Sequence, residues 1–153
     1  IIFTCENTVF FTRVLDKEFI EYSRFIPSSY AINLRIDGAR LLQSLERALL
    51  ITENIEKGET KSPLRCNFTD DKLIITTASS TGRFYDEIDI EKEGEDIEIG
   101  FNCRYLIEAI RACDPGELLL SLNSPLMSMV VRAVQPEENR KYLYLILPTR
   151  LKS

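Results

Sequence analysis

The feature of this sequence that most constrains its fold is an order of strand, helix and three further strands that occurs twice. In the first half, side-chain periodicity predicts a strand at residues 31–36, a helix at 38–52 with Asp37 as N-cap, and strands at 64–69, 72–79 and 83–91. In the second half, it predicts a strand at 96–100, a helix at 103–113 with Asn102 as N-cap, and strands at 117–122, 128–133 and 142–147. Residues 114–116, Asp-Pro-Gly, should end the second helix.

This order predicts the α+β class. Parallel neighbours in a sheet need a crossover connection between them, and each half supplies only one helix. We therefore expect two small antiparallel sheets with both helices packed against one side. The first helix should bury one face and expose the other; the two sets are Leu41, Leu42, Leu45, Ala48 and Leu49, and Arg40, Gln43, Ser44 and Arg47.

Two further β-rich runs, at residues 1–5 and 8–15, precede this pattern and are separated by Glu6-Asn7, a spacing that favours a tight hairpin. An isolated hairpin is marginally stable in water, so we interpret residues 1–15 as the end of a truncated preceding domain. Residues 16–30 have no clean periodicity and are predicted to be an interdomain connector, packed down through its aromatic side chains. The main domain is predicted to span residues 31–153.

The net charge is −5, and the acidic residues are unevenly placed. Eight carboxylates lie between Asp86 and Glu98, with Lys92 as the single cation among them. The hydrophobic content of 44% and charged content of 28% are typical of an intracellular globular domain. The apolar run at the start is too short for a membrane span and lacks the basic flank of a signal peptide, which favours a cytoplasmic protein without a membrane partner.

The sequence also excludes several kinds of site. Its four cysteines are far apart and it contains no histidine, so the usual zinc ligand sets and a Ser-His-Asp triad cannot be assembled. We interpret Cys5, Cys66, Cys103 and Cys113 as buried free thiols, and we expect neither a metal nor a cofactor.

Two segments carry a resemblance to a known family. Residues 99–110 (Ile-Gly-Phe-Asn-Cys-Arg-Tyr-Leu-Ile-Glu-Ala-Ile) and 142–151 (Tyr-Leu-Tyr-Leu-Ile-Leu-Pro-Thr-Arg-Leu) resemble the last third of bacterial DNA polymerase III β sliding clamps. The order of strands and helices is also similar to a clamp domain. The resemblance implies a non-catalytic accessory subunit of DNA polymerase: a replication processivity factor in which two protomers join head to tail as a homodimer. Their six domains would encircle double-stranded DNA, with the helices lining the hole.

The resemblance gives a role to the helix arginines. Arg40 and Arg47 on the first helix, and Arg104 and Arg111 on the second, are each seven residues apart, so each pair points the same way. In a clamp these DNA-facing side chains would meet phosphates without sequence preference, partly through water. The alternative is a solvated face balanced by Glu46 and Glu108.

The resemblance also implies a dimer interface. Residues 83–87, with Arg83, Tyr85, Asp86 and Glu87, would form the edge strand that pairs with the first domain of another protomer, and their carboxylates would steer that contact. Leu50 and Ile51 are similar in position to the family's apolar interface anchors. The alternatives are a solvated edge for the acidic run and a core role for the two aliphatic residues.

A third surface is the hydrophobic pocket in which clamps bind short linear motifs of the DNA polymerase III catalytic subunit, the clamp loader and repair polymerases. The resemblance places in it Arg24, Phe25, Asn102, Tyr105, Leu126, Ser128, Leu145, Ile146, Leu147, Pro148, Thr149, Arg150 and Leu151. Such a pocket would bury the apolar side chains of the motif. Its other half would belong to the preceding domain.

Two other classes of function remain open. Asp70, Asp71, Asp86 or Glu87 could serve a carboxylate-dependent or Mg²⁺-dependent hydrolase, which would require some of these carboxyl groups to converge in a cleft. Asp70-Asp71 is also typical of a hairpin turn. An unrelated protein-protein interaction module would keep the terminal pocket without needing aligned arginines on both helices.

Overall fold

The computed structural model describes residues 1–53, 62–113, 116–135 and 142–151, and its elements follow the predicted double pattern. An N-terminal hairpin of β1 (Ile2–Cys5) and β2 (Thr8–Phe11) is followed by a 3₁₀ helix (Tyr22–Phe25). The first half contains β3 (Ile32–Asp37), α1 (Gly38–Glu53), β4 (Leu64–Phe68), β5 (Lys72–Ser79), β6 (Gly82–Asp89) and β7 (Glu91–Glu93). The second half contains β8 (Ile97–Phe101), α2 (Cys103–Ala112), β9 (Glu117–Leu122), β10 (Met129–Ala133) and β11 (Tyr144–Ile146). The predicted α+β class is therefore confirmed.

The two halves exchange their first strands. The three strands that follow α1 form a meander, and β8 of the second half completes it as a four-stranded sheet in the order β6-β5-β4-β8. The strands that follow α2 form the corresponding meander, which β3 of the first half joins in the five-stranded order β11-β10-β9-β3-β7. Each helix consequently connects one sheet to the other, and all pairings within these two sheets are antiparallel.

The prediction of a single strand at residues 83–91 was wrong. The chain leaves the four-stranded sheet after Asp89 and enters the other sheet as β7, where Glu93 pairs with Asn33 of β3. Ile88 and Ile90 are both buried, so the alternation of side chains continues unbroken through the change of sheet. Side-chain periodicity reports burial and not the identity of the pairing strand, and it could not detect the break.

The second half has a counterpart to this change of sheet. After β11 the chain crosses from the five-stranded sheet to the four-stranded one, where the Thr149 amide donates to the Gly100 carbonyl at 2.8 Å. In both halves, therefore, the segment that follows the three-stranded meander pairs with the outer edge of the exchanged first strand. This segment is β7 beside β3 in one sheet and Thr149 beside β8 in the other.

One apolar core joins both sheets and both helices. Leu34, Ile75, Ile99 and Leu120 are fully buried on the strands. The helices contribute a further set, which consists of Leu41, Leu45, Ala48, Leu106, Ile107 and Ile110. Within the predicted apolar face of α1, Leu42 and Leu49 are only partly buried.

The predicted helix starts are confirmed. The Asp37 carboxylate accepts a hydrogen bond from the Arg40 amide, and the Asn102 side chain accepts one from the Arg104 amide, both at 3.0 Å. Each bond satisfies a backbone donor that has no partner within the helix. Of the predicted stop at residues 114–116, positions 114 and 115 lie outside the described residues.

The N-terminal hairpin is confirmed, but β2 ends at Phe11 instead of continuing to residue 15. Its turn places Glu6 at a positive φ of 47°. The prediction that residues 16–30 pack down through their aromatic side chains was wrong for Phe19, Tyr22 and Phe25, which are all exposed. Tyr30 alone among these aromatics is partly buried, with the Arg132 guanidinium 5.4 Å from its ring centre.

A charged contact ties α1 to β6. The Arg47 guanidinium is 2.6 Å from Asp86 Oδ2 and the Arg40 guanidinium is 3.3 Å from Asp86 Oδ1. Ser44, one turn from each arginine, was predicted on the exposed face but is fully buried. Its hydroxyl makes no hydrogen bond of standard geometry with a described residue. Burial raises the pKa of Asp86, but the neighbouring Ser44 hydroxyl and the two guanidinium groups outweigh it and hold this pKa below its ordinary value.

Gly100 gives a test of the contact between the terminal segment and β8. A Cβ at this position would lie 2.4 Å from the Thr149 carbonyl oxygen and 2.7 Å from Leu151 Cδ2. We predict that Gly100→Ala lowers the free energy of unfolding by about 1–3 kcal/mol, measured by urea denaturation, because the segment must move away. Gly116→Ala is the matched control, since its Cβ would meet no atom of a described residue within 4 Å. Equal stability of the two variants would contradict the assigned packing.

Asp86 gives a prediction for acid conditions. Its folded-state pKa is lowered, so its contribution to stability is complete above the unfolded pKa of about 3.9 and is lost as the pH falls through the folded value. We predict that the difference in unfolding free energy between the parent and Asp86→Asn is constant above about pH 5 and shrinks below about pH 4. Denaturation at a series of pH values measures it, with Asp71→Asn, an exposed turn residue, as the control. A difference that does not change with pH would disprove the assignment.

Candidate functional site

The end of the chain and one face of α2 form an apolar groove. Tyr105, on the first turn of α2, is 59% exposed, and Leu147, just after β11, is 70% exposed. The groove between them has a volume of about 400 Å³. It is lined by Tyr105, Glu108, Ala109, Tyr144, Leu145, Ile146 and Leu147. Exposed aromatic and aliphatic side chains around a concave surface are suited to binding apolar anchors of a peptide.

A second, smaller pocket continues from the first at Tyr105. Its volume is about 210 Å³, and it brings the predicted residues Asn102, Tyr105 and Thr149 together with Glu53 and Arg104. Thr149 is held there by the backbone pairing with Gly100. The crossing between the two sheets therefore positions the terminal segment beside the start of α2.

Arg150 lies in a third groove, on the four-stranded sheet. This groove has a volume of about 690 Å³, and Thr149 and Arg150 line it together with Arg65, Arg83 and Tyr85. The terminal segment consequently contributes to concave surfaces near both α2 and the β6 edge. Leu151 packs towards Gly100, as shown by its distance from the Cβ position of that glycine.

Seven predicted pocket residues line neither groove beside α2: Arg24, Phe25, Leu126, Ser128, Pro148, Arg150 and Leu151. Arg24 forms an exposed ion pair with Glu21 at 2.6 Å on the 3₁₀ helix. Leu126 is exposed in a turn where the Met127 amide donates to the Ser124 carbonyl. Beside α2 the structure thus brings together six of the predicted residues: Asn102, Tyr105, Leu145, Ile146, Leu147 and Thr149.

The second arginine pair binds to carboxylates of α1. Arg104 pairs with Glu53, and Arg111 pairs with Glu46 at 2.6 Å. Glu46 and Glu53 are themselves seven residues apart, so the two helices form a ladder of two matched ion pairs. The prediction that Glu46 balances an arginine is confirmed, whereas Glu108 forms no ion pair with a described residue. Sequence reasoning missed Glu53, although its spacing from Glu46 was the available signal.

All four predicted DNA-facing arginines therefore have carboxylate partners, since Arg40 and Arg47 share Asp86. Their regular spacing follows from these pairings and does not by itself indicate a ligand. The side chains nevertheless keep 41–60% of their surface exposed, which leaves the guanidinium groups accessible to an anion from solvent.

The predicted dimer edge is an outer strand of the four-stranded sheet. β6 pairs with β5 on one side, and no described strand pairs with its other side. Tyr85 is exposed on this edge, and Leu50 at the end of α1 is 65% exposed, while Ile51 is partly buried. Two predicted edge carboxylates are already engaged, because Asp86 binds the α1 arginines and Glu87 binds Lys72 at 2.7 Å.

These contacts also account for the altered ionisation on the edge. The hydrogen bond from Lys72, followed by one from the Tyr85 hydroxyl, lowers the pKa of Glu87. The hydrogen bond that the Tyr85 hydroxyl donates to Glu87 also raises the pKa of Tyr85. Both Asp86 and Glu87 are therefore ionised at neutral pH, as their ion pairs with Arg40, Arg47 and Lys72 require.

The arrangement does not favour the alternative of a carboxylate-dependent hydrolase. A general acid needs a raised pKa near neutral pH, but the pKa values of Asp86 and Glu87 are lowered by cations and hydrogen-bond donors. Asp70 and Asp71 lie exposed in the turn between β4 and β5, as predicted for a hairpin. Across the described parts of the chain, no three potential metal-ligating His, Cys, Asp or Glu side chains come together.

The cysteines are free thiols, but the prediction that all four are buried was wrong. Cys5 is exposed on the N-terminal hairpin, whereas Cys66, Cys103 and Cys113 are buried. Burial raises the pKa of Cys103 to about 12 and that of Cys113 to about 11, and it also raises the pKa of Cys66. Thiols with such pKa values are poor nucleophiles.

Neither α1 nor α2, the helices described, combines the length and apolarity needed for a membrane span.

Comparisons with known proteins agree with this fold. The family model described as the DNA polymerase III beta subunit, C-terminal domain, matches residues 23–150. The beta sliding clamp of Streptococcus pneumoniae serotype 4 is 28% identical over 153 residues, which cover 98% of this chain and 39% of that protein. The beta sliding clamp of Synechococcus elongatus is 28% identical over 145 residues, which cover 93% of this chain and 36% of that protein.

A solved structure of a DNA polymerase III beta subunit has the same fold as this chain. The DNA polymerase III beta subunit of Thermotoga maritima is 25% identical and has a TM-score of 0.81, with a match that covers 94% of this chain and 37% of that chain. The present chain spans about two fifths of the length of the sliding clamps that it matches. The matched residues and the shared fold establish that this chain belongs to the DNA polymerase III beta subunit family, in which it corresponds to the C-terminal domain.

Proposed function

We propose that this chain is the C-terminal part of a sliding clamp, a cytoplasmic and non-enzymatic accessory subunit that encircles DNA and tethers the replicative polymerase. The observation that carries the proposal is the family match over residues 23–150. In the proposed domain map, residues 1–15 end the preceding clamp domain, residues 16–30 connect the domains, and residues 31–153 form the C-terminal domain. The family match begins inside the proposed connector.

The groove between Tyr105 and Leu147 is proposed to be this chain's half of a peptide-binding pocket. Its support is the exposure of both side chains and the way the chain's crossing between sheets sets Thr149 beside Asn102. The occupants would be short linear motifs of the polymerase III catalytic subunit, the clamp loader and repair polymerases, docked through aliphatic and aromatic anchors. Arg24, Phe25, Leu126 and Ser128 would extend the pocket towards the preceding domain.

The four helix arginines are proposed to face double-stranded DNA in the ring. This proposal rests on family membership and on their exposure, because intramolecular ion pairs already explain their spacing. Binding should be independent of sequence, weak and sensitive to salt, since each contact is made to a phosphate. Fluorescence anisotropy of a labelled duplex with the four arginines changed to glutamine tests the assignment, and unchanged affinity would exclude it.

The β6 edge is proposed to form the head-to-tail dimer contact with another protomer. No described strand pairs with its outer side, and the side chains of Leu50, Arg83 and Tyr85 are exposed, which supports this contact; Ile51 is partly buried. Asp86 and Glu87 would set the charge of the edge while remaining bound to their own cations. Leu50→Ala with Ile51→Ala in a clamp of full length should yield monomers in sedimentation; intact dimers would rule the contact out.

The peptide pocket gives a direct test on this chain. We predict that Leu147→Ala weakens binding of a peptide of the Gln-x-x-Leu-Phe type by roughly tenfold or more, because a buried leucine contributes about 1.5–3 kcal/mol. The affinity is measured by titrating a fluorescent peptide, with a phenylalanine-to-alanine peptide to show that binding depends on the aromatic anchor.

Leu50→Ala is the matched control for this titration. Leu50 and Leu147 have similar exposure, but only Leu147 lines the groove beside α2. Leu50→Ala should leave peptide affinity unchanged. Equal loss from both substitutions, or none from Leu147→Ala, would place the peptide site elsewhere.

A further inference from the structure

Three carboxylates form ion pairs with the four helix arginines. Asp86 binds Arg40 and Arg47, Glu53 binds Arg104, and Glu46 binds Arg111. All four arginines therefore have a carboxylate within ion-pair distance before any ligand arrives. Four positive charges face three negative ones, so this helix face carries little net positive charge of its own.

The three carboxylates differ in how easily an anion from solvent could replace them. The Asp86 side chain is 16% exposed, bridges two guanidinium groups and also accepts a hydrogen bond from the Glu87 amide at 3.1 Å. Glu46 and Glu53 are 45% and 36% exposed, and each binds one arginine. Exposed ion pairs are weak and exchange readily, so Asp86 should be the hardest of the three to displace.

We infer that Asp86, Glu46 and Glu53 compete with DNA phosphates for the four arginines and thereby lower the affinity of this helix face for a duplex. The inference rests on the proposed DNA-facing role of the arginines and deepens it by naming what limits their affinity. A phosphate approaching this face must either displace a carboxylate or share its arginine. The face can then be close to DNA while neutralising few phosphates fully, which suits a protein that moves along the duplex.

The test replaces the three acids by their neutral isosteres. The triple variant Asp86→Asn, Glu46→Gln, Glu53→Gln should bind a short labelled duplex roughly tenfold more tightly or better than the parent at about 50 mM salt. Its plot of log affinity against log salt should also be steeper, by roughly 0.9 for each additional phosphate that the arginines neutralise. Asp86→Asn alone should give the largest single effect, because it releases two arginines.

A control variant with the same change in net charge separates local competition from general repulsion of DNA. Glu91→Gln, Glu93→Gln and Glu95→Gln remove three negative charges at β7 and the turn after it, and none of these side chains pairs with a helix arginine. This control should show a much smaller increase in affinity. If the control improves binding as much as the triple variant, or if the triple variant binds no more tightly than the parent, the inference is overturned.

Removing the arginines distinguishes this inference from the proposed function on which it rests. Changing all four arginines to glutamine should cancel the tighter binding of the triple variant. If that change weakens parental binding while the acid substitutions do nothing, the DNA-facing role stands and the competition fails. If the arginine changes have no effect in either background, the DNA-facing role itself fails. Should Asp86→Asn unfold the chain, as circular dichroism would reveal, Glu46→Gln with Glu53→Gln still tests the competition at Arg104 and Arg111.

Discussion

The exchange of first strands between the two halves is the constraint on which the rest of the structure depends. β3 completes the sheet of the second half and β8 completes that of the first, so neither half can form its full sheet alone. Because each helix must connect one sheet to the other, α1 and α2 are brought together over a shared core. Packing between the halves, and not the stability of either half, therefore holds the domain together.

That arrangement also determines where charge is placed. Side by side, the helices match the glutamates of α1 to the arginines of α2, and β6 brings Asp86 beneath the remaining two arginines. A surface that looks basic along each helix is nearly neutral once the helices meet. This near neutrality fits the proposed role on DNA, because tight binding to phosphates would oppose movement along the duplex.

The crossing of the terminal segment connects this fold to the proposed pocket. Thr149 covers the edge of β8 as β7 covers that of β3, and the chain between β11 and Thr149 must span from one sheet to the other. Leu147 lies in this span, where no described strand covers it, and it stays exposed beside Tyr105. The same backbone pairing that closes the sheet edge thus keeps an apolar side chain available to a partner.

The sequence by itself determined the α+β class, the order of strands and helices, and both helix caps, because these depend on local periodicity and on side chains such as Asp37 and Asn102 that bond to nearby backbone. It also identified the clamp family through residues 99–110 and 142–151. Only the tertiary structure decided that the predicted strand 83–91 divides at Ile90, that Ser44 is buried, that Phe19, Tyr22 and Phe25 are exposed, and that Glu53 binds Arg104. Each of these depends on which distant segment lies alongside, and periodicity carries no information about that neighbour. The spacing of the arginines was visible in the sequence, but their carboxylate partners became known only when β6 and the two helices were brought into contact.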